Sequence, residues 1–469
     1  MNSHQTIVLF ILVLGTLMGA LDSTIVILAF PTIAQSLNSD ISTTIWIILI
    51  YLLIAAVSTT PFGRIGDLYG RSRMFNLGFA IFTLGSAFCG FAPNMQALIT
   101  SRAMQAVGGS LLQSNSGAII ADIFPQNERG SAFGYNSLGW TAGAMIGIVM
   151  GGVITTFLGW KYIFFINIPI GIAAVVLGLI YLKDIKPVKT RMDLGGMAFL
   201  AGSLSLLSFG AVDFAGQGLT RFNMALMIAG AIMVPLFLVH EKRSFSPMLE
   251  LKAFEDRVLR YSILAAFFMS LGYLSVVFLI IMYLQGVRGF SPYDASILLI
   301  PGYVVGSILS PFMGRLSDRY GARMIASVGI SMLGLAILVY LTLKQDSFIY
   351  TVLIASAISG LGTSMFYPAN NSAVMASARS GSYGSISGLL RTLQNIGILG
   401  SFVMAISVAS ASIPRSDAFE IFIGTTNLSG GLSEEFITGM DSALWASLAL
   451  LVVAGLMSII RGKETRGNF

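Results

Sequence analysis

One eleven-residue phrase occurs twice in this chain. Pro61-Phe62-Gly63-Arg64-Ile65-Gly66-Asp67-Leu68-Tyr69-Gly70-Arg71 returns as Pro311-Phe312-Met313-Gly314-Arg315-Leu316-Ser317-Asp318-Arg319-Tyr320-Gly321. Each copy closes an apolar stretch of about 20 residues, enough to cross the ~30 Å hydrocarbon core of a bilayer. The phrase reads as a short charged loop between two spans. Two copies so far apart imply two homologous halves in parallel arrangement, which places a binding site between the halves near the bilayer midplane.

Composition agrees. The chain is 55% hydrophobic and only 10% charged, with mean hydropathy +0.83, whereas soluble domains carry about a quarter charged residues. Apolar runs recur along its whole length. A membrane β-barrel is excluded, because its strands alternate apolar and polar over about 10 residues and nothing here does so. The first run, 7–30, has no basic leader or small-residue cleavage site and reads as a retained span. The single cysteine, Cys89, excludes a disulfide framework. His4 and His240 are far apart and give no metal site.

Fourteen spans can be drawn, at about 7–30, 43–62, 74–92, 96–122, 131–157, 161–182, 194–215, 222–240, 259–284, 294–313, 323–343, 348–368, 385–411 and 440–460. The longest loop falls at about 413–438. With the N-terminus inside, about twenty Lys and Arg residues lie on the inner side, and only Lys161, Arg221, Arg288, Lys344 and Arg415 lie outside. That bias predicts that both ends are cytoplasmic in a cell membrane. It also accounts for the net charge of +6 without nucleic acid. The repeated phrase follows span 2 and again span 10, so spans 7 and 8 are an insert. The fold class expected is all-α and polytopic: a six-helix bundle (1–193), a two-helix insert (194–245) and a second six-helix bundle (246–469).

Charges inside spans are costly, about 2.5–3.5 kcal/mol each even on lenient scales, and mark functional sites by default. Asp22 and Arg102 sit at matching depths in spans 1 and 4. They can pair across a cavity as a proton-binding site, or form a fixed ion pair that holds the two spans together. Arg102, Gln105, Gly109, Gln113 and Ser116 form one stripe of span 4, facing either a water-lined cavity or a partner helix. Trp46, Tyr51, Gln105 and Gln113 are candidate cavity walls. On span 13, Arg391 and Asn395 share a face with Gln394. Arg391 either snorkels to the cytoplasm or faces the cavity, where it favours an anionic or zwitterionic substrate. Gly139, Gly143, Gly147 and Gly151, with Gly152, give span 5 a smooth groove for close packing against another backbone. In the repeated phrases, Asp67 and Asp318 can accept hydrogen bonds from helix N-termini. Arg64, Arg71, Arg73, Arg315 and Arg319 can bridge to acidic partners or lipid phosphates, and Gly63, Gly66, Gly70, Gly314 and Gly321 permit tight turns.

Taken together, these segments resemble the fourteen-helix drug:proton antiporter branch of the major facilitator superfamily. Leu21-Asp22-Ser23-Thr24-Ile25-Val26 with Pro31 is similar to its span-1 motif, and Trp46, Tyr51 and 63–73 to its span-2 pattern. Arg102-Ala103-Met104-Gln105 is similar to its span-4 motif, and Trp160 to Phe164 with Ile166-Asn167-Ile168-Pro169 to its span-6 signature. The chain departs at Ile148, where the branch's span-5 motif has proline, and at Arg391, where the branch often has asparagine. The resemblance implies that the repeated phrases latch the cytoplasmic side shut. It also implies that Asp22 carries a proton.

The resulting expectation is a secondary active exporter of amphipathic small molecules, proton-coupled and working by alternating access. Its partners would be the bilayer, its substrate and protons. No enzyme chemistry, other cofactor, metal or nucleic acid is expected, and the chain would act as a monomer. The alternative is a carrier for a specific, possibly anionic, metabolite.

Overall fold

The computed structural model describes residues 2–39, 41–44, 46–184, 193–244, 247, 251–412 and 431–462. They form an all-helical protein. The long helices are α1 (Ser3–Ser36), α2 (Trp46–Tyr69), α3 (Arg71–Phe91), α4 (Met95–Ile123), α5 (Arg129–Phe157), α6 (Asn167–Tyr181), α7 (Leu194–Gln217), α8 (Arg221–Arg243), α9 (Arg257–Met282), α10 (Ile300–Tyr320), α11 (Ala322–Tyr340), α12 (Tyr350–Ser377), α13 (Tyr383–Ser412) and α14 (Gly431–Ile460). Local chemistry sets their ends. Asn94 caps α4 by accepting from the Ala97 N–H, and Asp256 caps α9 by accepting from the Leu259 N–H.

Among the described residues, eleven helical segments are long and apolar enough to cross a membrane. The long helices outside that set are α4, α10 and α13. These are the helices that carry Arg102 with Gln113, the second repeated phrase, and Arg391 with Asn395. Their polar residues lower their hydropathy because they face protein and cavity rather than lipid.

Packing follows the sequence repeat. In the first six helices α1 lies along α5, α2 and α3 along α4, and α6 against α1 and α3. In the last six, α9 lies along α13, α10 and α11 along α12, and α14 against α9 and α11. The two groups meet through α2 with α13 and through α5 with α10. The α7–α8 pair packs on itself and, through α7, on α2 and α13.

Two expectations need correction. The repeated phrases are not loops: residues 61–69 and 311–320 are the last turns of α2 and α10. The chain turns only at Gly70 (φ 110°) and Gly321 (φ 100°), a region closed to most side chains. Gly63, Gly66 and Gly314 serve contact instead. A Cβ on Gly63 would fall on the Gly384 carbonyl oxygen, one on Gly66 on the Asn115 side chain, and one on Gly314 on the Gly130 carbonyl oxygen. Span 6 falls where it was drawn, as the single apolar segment Tyr162–Tyr181. Within it a turn of helix, Tyr162–Phe165, is followed by α6, because Pro169 has no N–H for the Phe165 carbonyl. Finally, α14 begins at Gly431, so only 413–430 of the expected long loop remains, and that stretch lies outside the described residues. Lys186, Lys189, Arg191 and Arg415, used in the charge count, also lie outside them.

Candidate functional site

The first six helices enclose a charge cluster. Asp22 on α1 is 0% exposed and Arg102 on α4 is 2% exposed. Arg102 Nη1 donates to Asp22 Oδ2 at 2.5 Å, and its Nε donates to the Ile47 carbonyl at 3.0 Å. Arg102 also donates to Gln105 Oε1. Gln105 Nε2 then donates to Asp22 Oδ1 at 2.8 Å and to Ser86 Oγ at 2.6 Å. Asn167, at the start of α6, reaches Asp22 Oδ1 at 3.2 Å and Ser86 Oγ at 3.3 Å. The break before α6 sets Asn167 at this point. Helices α1, α4 and α6 thus meet at one carboxylate, whose oxygens accept from three side chains, while α2 and α3 supply Ile47 and Ser86 to the surrounding network. Such a network is what a buried ion pair requires if its charges are not to be left uncompensated.

Beside this cluster, between the two six-helix groups, lies a cavity of about 220 Å³. Its wall includes Tyr51, Gln113, Ser116 and Trp140 from the first group, and Tyr273, Tyr303, Tyr340, Tyr367, Arg391, Gln394 and Asn395 from the last. Asn395 Nδ2 donates to Gln113 Oε1 across the gap at 3.4 Å. Neither Asp22 nor Arg102 lines it. Tyr51 belongs to both places. It faces the cavity, and its ring centroid lies 4.7 Å from Arg102 Cζ. Among the described residues its buried hydroxyl has no hydrogen-bond partner, and it abuts Gly109, where a Cβ would overlap it.

The expected span-4 stripe therefore splits. Gly109, Gln113 and Ser116 face the cavity, while Arg102 and Gln105 lie behind Tyr51. Gln105 is a member of the charge cluster and not a cavity wall. Trp46 is not a wall either: it stacks on Phe209 of α7 at 5.6 Å between ring centroids. Arg391 faces the cavity and does not snorkel. Trp140, 43% exposed, is a cavity residue that the sequence reading missed, as are the four tyrosines of the last group. Asn167 and Ser86 were also missed as site residues. A lone Asn in an otherwise apolar span was the available signal for the first.

At one face the two groups are clasped reciprocally. Asp67 Oδ1 and Oδ2 accept from the Gly384 and Ser385 N–H groups at the start of α13, both at 2.8 Å, and Oδ2 also accepts from Ser385 Oγ. Asp318 on α10 accepts from the Gly130 and Ser131 N–H groups at the start of α5, both at 2.8 Å. Each carboxylate sits where a helix N-terminus favours an anion. Arg71 ties the first clasp to α4, with ion pairs to Asp67 at 2.7 Å and Asp122 at 2.5 Å. Arg129, missed as a member, spans the groups by donating to the Met375 carbonyl at 3.0 Å and to Tyr383 Oη at 3.1 Å. Arg64 is buried beside the clasp. Arg315 reaches Tyr135 Oη at 3.0 Å. Arg73 is outside the clasp, exposed and paired with Asp184 at 3.3 Å. Arg319 lies over Tyr320. Cross-group hydrogen bonds continue inward through Thr60–Thr392 (2.8 Å) to Thr141–Ser307 (2.7 Å). The expected span-5 groove holds α1: a Cβ on Gly139, Gly143 or Gly147 would meet the backbone of Val13, Leu17 or Leu21.

Comparison with known proteins places this geometry. A sequence profile of the Major Facilitator Superfamily matches residues 12–401. The riboflavin transporter RibZ of Clostridioides difficile is 32% identical over 88% of this chain and 89% of its own length. The tetracenomycin C resistance and export protein of Streptomyces glaucescens is 28% identical, over 96% and 90%. The multidrug resistance protein Stp of Mycobacterium tuberculosis is 28% identical, over 100% and 94%. Among solved structures, the human organic anion transporter MFSD10 superposes with a TM-score of 0.66 at 14% identity, over 96% of this chain and all of that one. That likeness concerns the fold.

Proposed function

The chain belongs to the Major Facilitator Superfamily and is a multi-pass membrane transporter, not an enzyme; from that premise we propose that it is a proton-coupled exporter of amphipathic small molecules working by alternating access. All fourteen long helices cross the bilayer of the cell membrane, with both ends and the clasped face in the cytoplasm. Residues 1–193 and 246–469 form the two moving bundles, and 194–245 form the two-helix insert. The chain acts as a monomer. The names of its relatives, export and multidrug resistance proteins among them, support the direction of transport.

One observation carries the coupling: a carboxylate with no exposed surface sits one side chain away from a cavity between two bundles clasped at one face. Asp22 is the proton site. With the clasp closed, Asp22 is held by Arg102, Gln105 and Asn167. Protonation removes the negative charge, weakens the hold on Arg102 and lets α1 and α4 repack against the cavity. Opening the clasp then turns the cavity inward. The proton leaves to the cytoplasm, substrate enters, and the clasp reforms.

The test is transport by purified protein in liposomes under an imposed pH gradient. The wild type should accumulate substrate against its gradient. Asp22→Asn should retain only downhill exchange. Fully gradient-driven accumulation by Asp22→Asn would overturn the proton assignment.

A further inference from the structure

The cavity holds one formal charge. Among its lining residues Arg391 is the only one that is ionised at neutral pH, and no aspartate or glutamate reaches the wall. The guanidinium of Arg391 donates to Gln394 Oε1 at 3.1 Å. Among the described residues it has no carboxylate partner within ion-pair distance. The same hydrogen bond fixes Gln394 with its Nε2 turned away from Arg391. Gln394 is only 4% exposed, and that Nε2 is buried with no acceptor. A cation and an unsatisfied amide donor therefore lie side by side on one wall of α13.

Among the described residues, the other unsatisfied groups of wall residues include the hydroxyls of Tyr51, Ser116 and Ser270, which can donate to an anion as well as accept. Only Asn371 Oδ1 is an unsatisfied pure acceptor there. Opposite charge is what a desolvated cation and idle donors lack, since a buried polar group left unpaired is costly. Aromatic rings are spread over the wall, with Tyr273, Tyr303, Tyr340 and Tyr367 on one side and Phe75 and Trp140 on the other, among small, hydroxyl and aliphatic side chains. Rings offer flat apolar contact with a polar edge.

We propose that the cavity is built for an aromatic organic anion. Its carboxylate, or an equivalent delocalised oxyanion, accepts from the Arg391 guanidinium and from Gln394 Nε2, and its ring system lies among the tyrosines. The assignment rests on reading this cavity as the substrate site. It narrows the amphipathic class to one sign of charge, and it excludes the lipophilic cation that a carboxylate-bearing cavity would select. Asp22 is withheld from the substrate behind Tyr51 and keeps its charge for the proton.

The experiment is equilibrium binding by calorimetry on the purified full-length protein, at one pH and with no gradient. It uses three probes with the same bicyclic ring: 2-naphthoate, 2-naphthylmethanol and 2-naphthylmethylammonium. Naphthoate should bind at least tenfold more tightly than the ammonium. Arg391→Met should weaken naphthoate about tenfold, to the level of the neutral alcohol, and leave the alcohol within twofold. Arg391→Lys should restore part of the loss, and Gln394→Leu should weaken naphthoate severalfold with Arg391 intact. Equal binding of the two ions, no binding of naphthoate, or an unchanged naphthoate affinity in a folded Arg391→Met protein would overturn the proposal. Coupling is judged separately. Asp22→Asn should keep the anion preference, so failure of gradient-driven transport and failure of charge selection are distinct results.

Discussion

Tyr51 covers Arg102. Its ring lies 4.7 Å from the guanidinium carbon, and the same ring forms part of the cavity wall. Tyr51 is thus the partition between the substrate space and the sealed Asp22–Arg102 pair. A cation over a desolvated aromatic face is worth about 2 kcal/mol. Tyr51→Phe keeps that face and should transport at near wild-type rates. Tyr51→Ala opens the partition and should let protons cross without substrate. The check is the internal pH of liposomes under a pH gradient with no substrate present, where only the alanine variant should leak.

Removing one member of a buried pair leaves the other charge uncompensated, at a cost of about 3–5 kcal/mol. Asp22→Asn should therefore lose stability as well as coupling, because Arg102 keeps its charge with 2% exposure. Arg102→Gln in the same chain removes the orphaned cation. The double variant should recover a large part of the thermal stability and none of the gradient-driven transport. A melting series across the wild type, Asp22→Asn, Arg102→Gln and the double variant separates the structural role of the pair from its proton role.

Asp67 and Asp318 hold the bundles by hydrogen bonds to backbone N–H groups of the opposite bundle, and bonds to a charged acceptor are worth about 1.5–3 kcal/mol each. Asp67→Asn halves the acceptor capacity, also loosens Arg71, and should shift the population toward the open clasp. Ser116, on the cavity wall, reports that shift. A cysteine placed there should react slowly with a membrane-impermeant thiol reagent from the clasped face. In the Asp67→Asn background it should react at least tenfold faster. Asp318→Asn should act in the same direction. The native thiol, Cys89, is buried and should give little background.

The architecture was legible because its signals are long or repeated. Apolar runs and the doubled phrase do not depend on tertiary detail. Asp22 and Arg102 were legible because charge in an apolar span has few innocent explanations. What remained hidden was direction. Gln105 and Gln113 lie on one helical stripe, yet Tyr51 from a different helix divides them. Trp46 points to an insert whose position no local pattern encodes. The glycines of the doubled phrase could be read as turn residues or contact residues. Only the partner groups, the Gly384 and Gly130 carbonyls and the Asn115 side chain, show that three of them are contacts. Arg391 could reach either water or the cavity, and packing of α13 against α2 decided it.

The insert carries its own cap. Asp193 Oδ1 accepts from the Gly196 N–H at 2.8 Å and pairs with His240 Nε2 at 2.9 Å. Burial raises its pKa, but the Gly196 N–H and the His240 and Ser244 side chains outweigh that and leave it below the usual carboxylate value. A depressed pKa stabilises the fold above the unfolded value of about 3.9, and the contribution is lost as pH falls through the folded value. Between pH 5 and 8 the Asp193 carboxylate should therefore add no pH dependence. Asp193→Ala should cost about 1 kcal/mol as a lost N-cap. Hydrogen exchange of the first turn of α7 should show it, with α2 and α13 unchanged.

Substrate charge sets how the membrane potential acts. For one proton inward per substrate outward, an exported monoanion makes each cycle carry two positive-charge equivalents inward. At about 2.3 kcal/mol per charge per 100 mV, an inside-negative potential of 100 mV then contributes about 4.6 kcal/mol. An exported monocation cancels the proton, and the potential contributes nothing. Potassium-loaded liposomes with valinomycin set the potential at fixed pH on both sides. Outward movement of an aromatic anion from the clasped-face side should accelerate steeply as that side is made negative, and should stop when the potential is reversed. A rate indifferent to the potential would mean that each cycle is electroneutral, which an anion exchanged for a proton cannot satisfy.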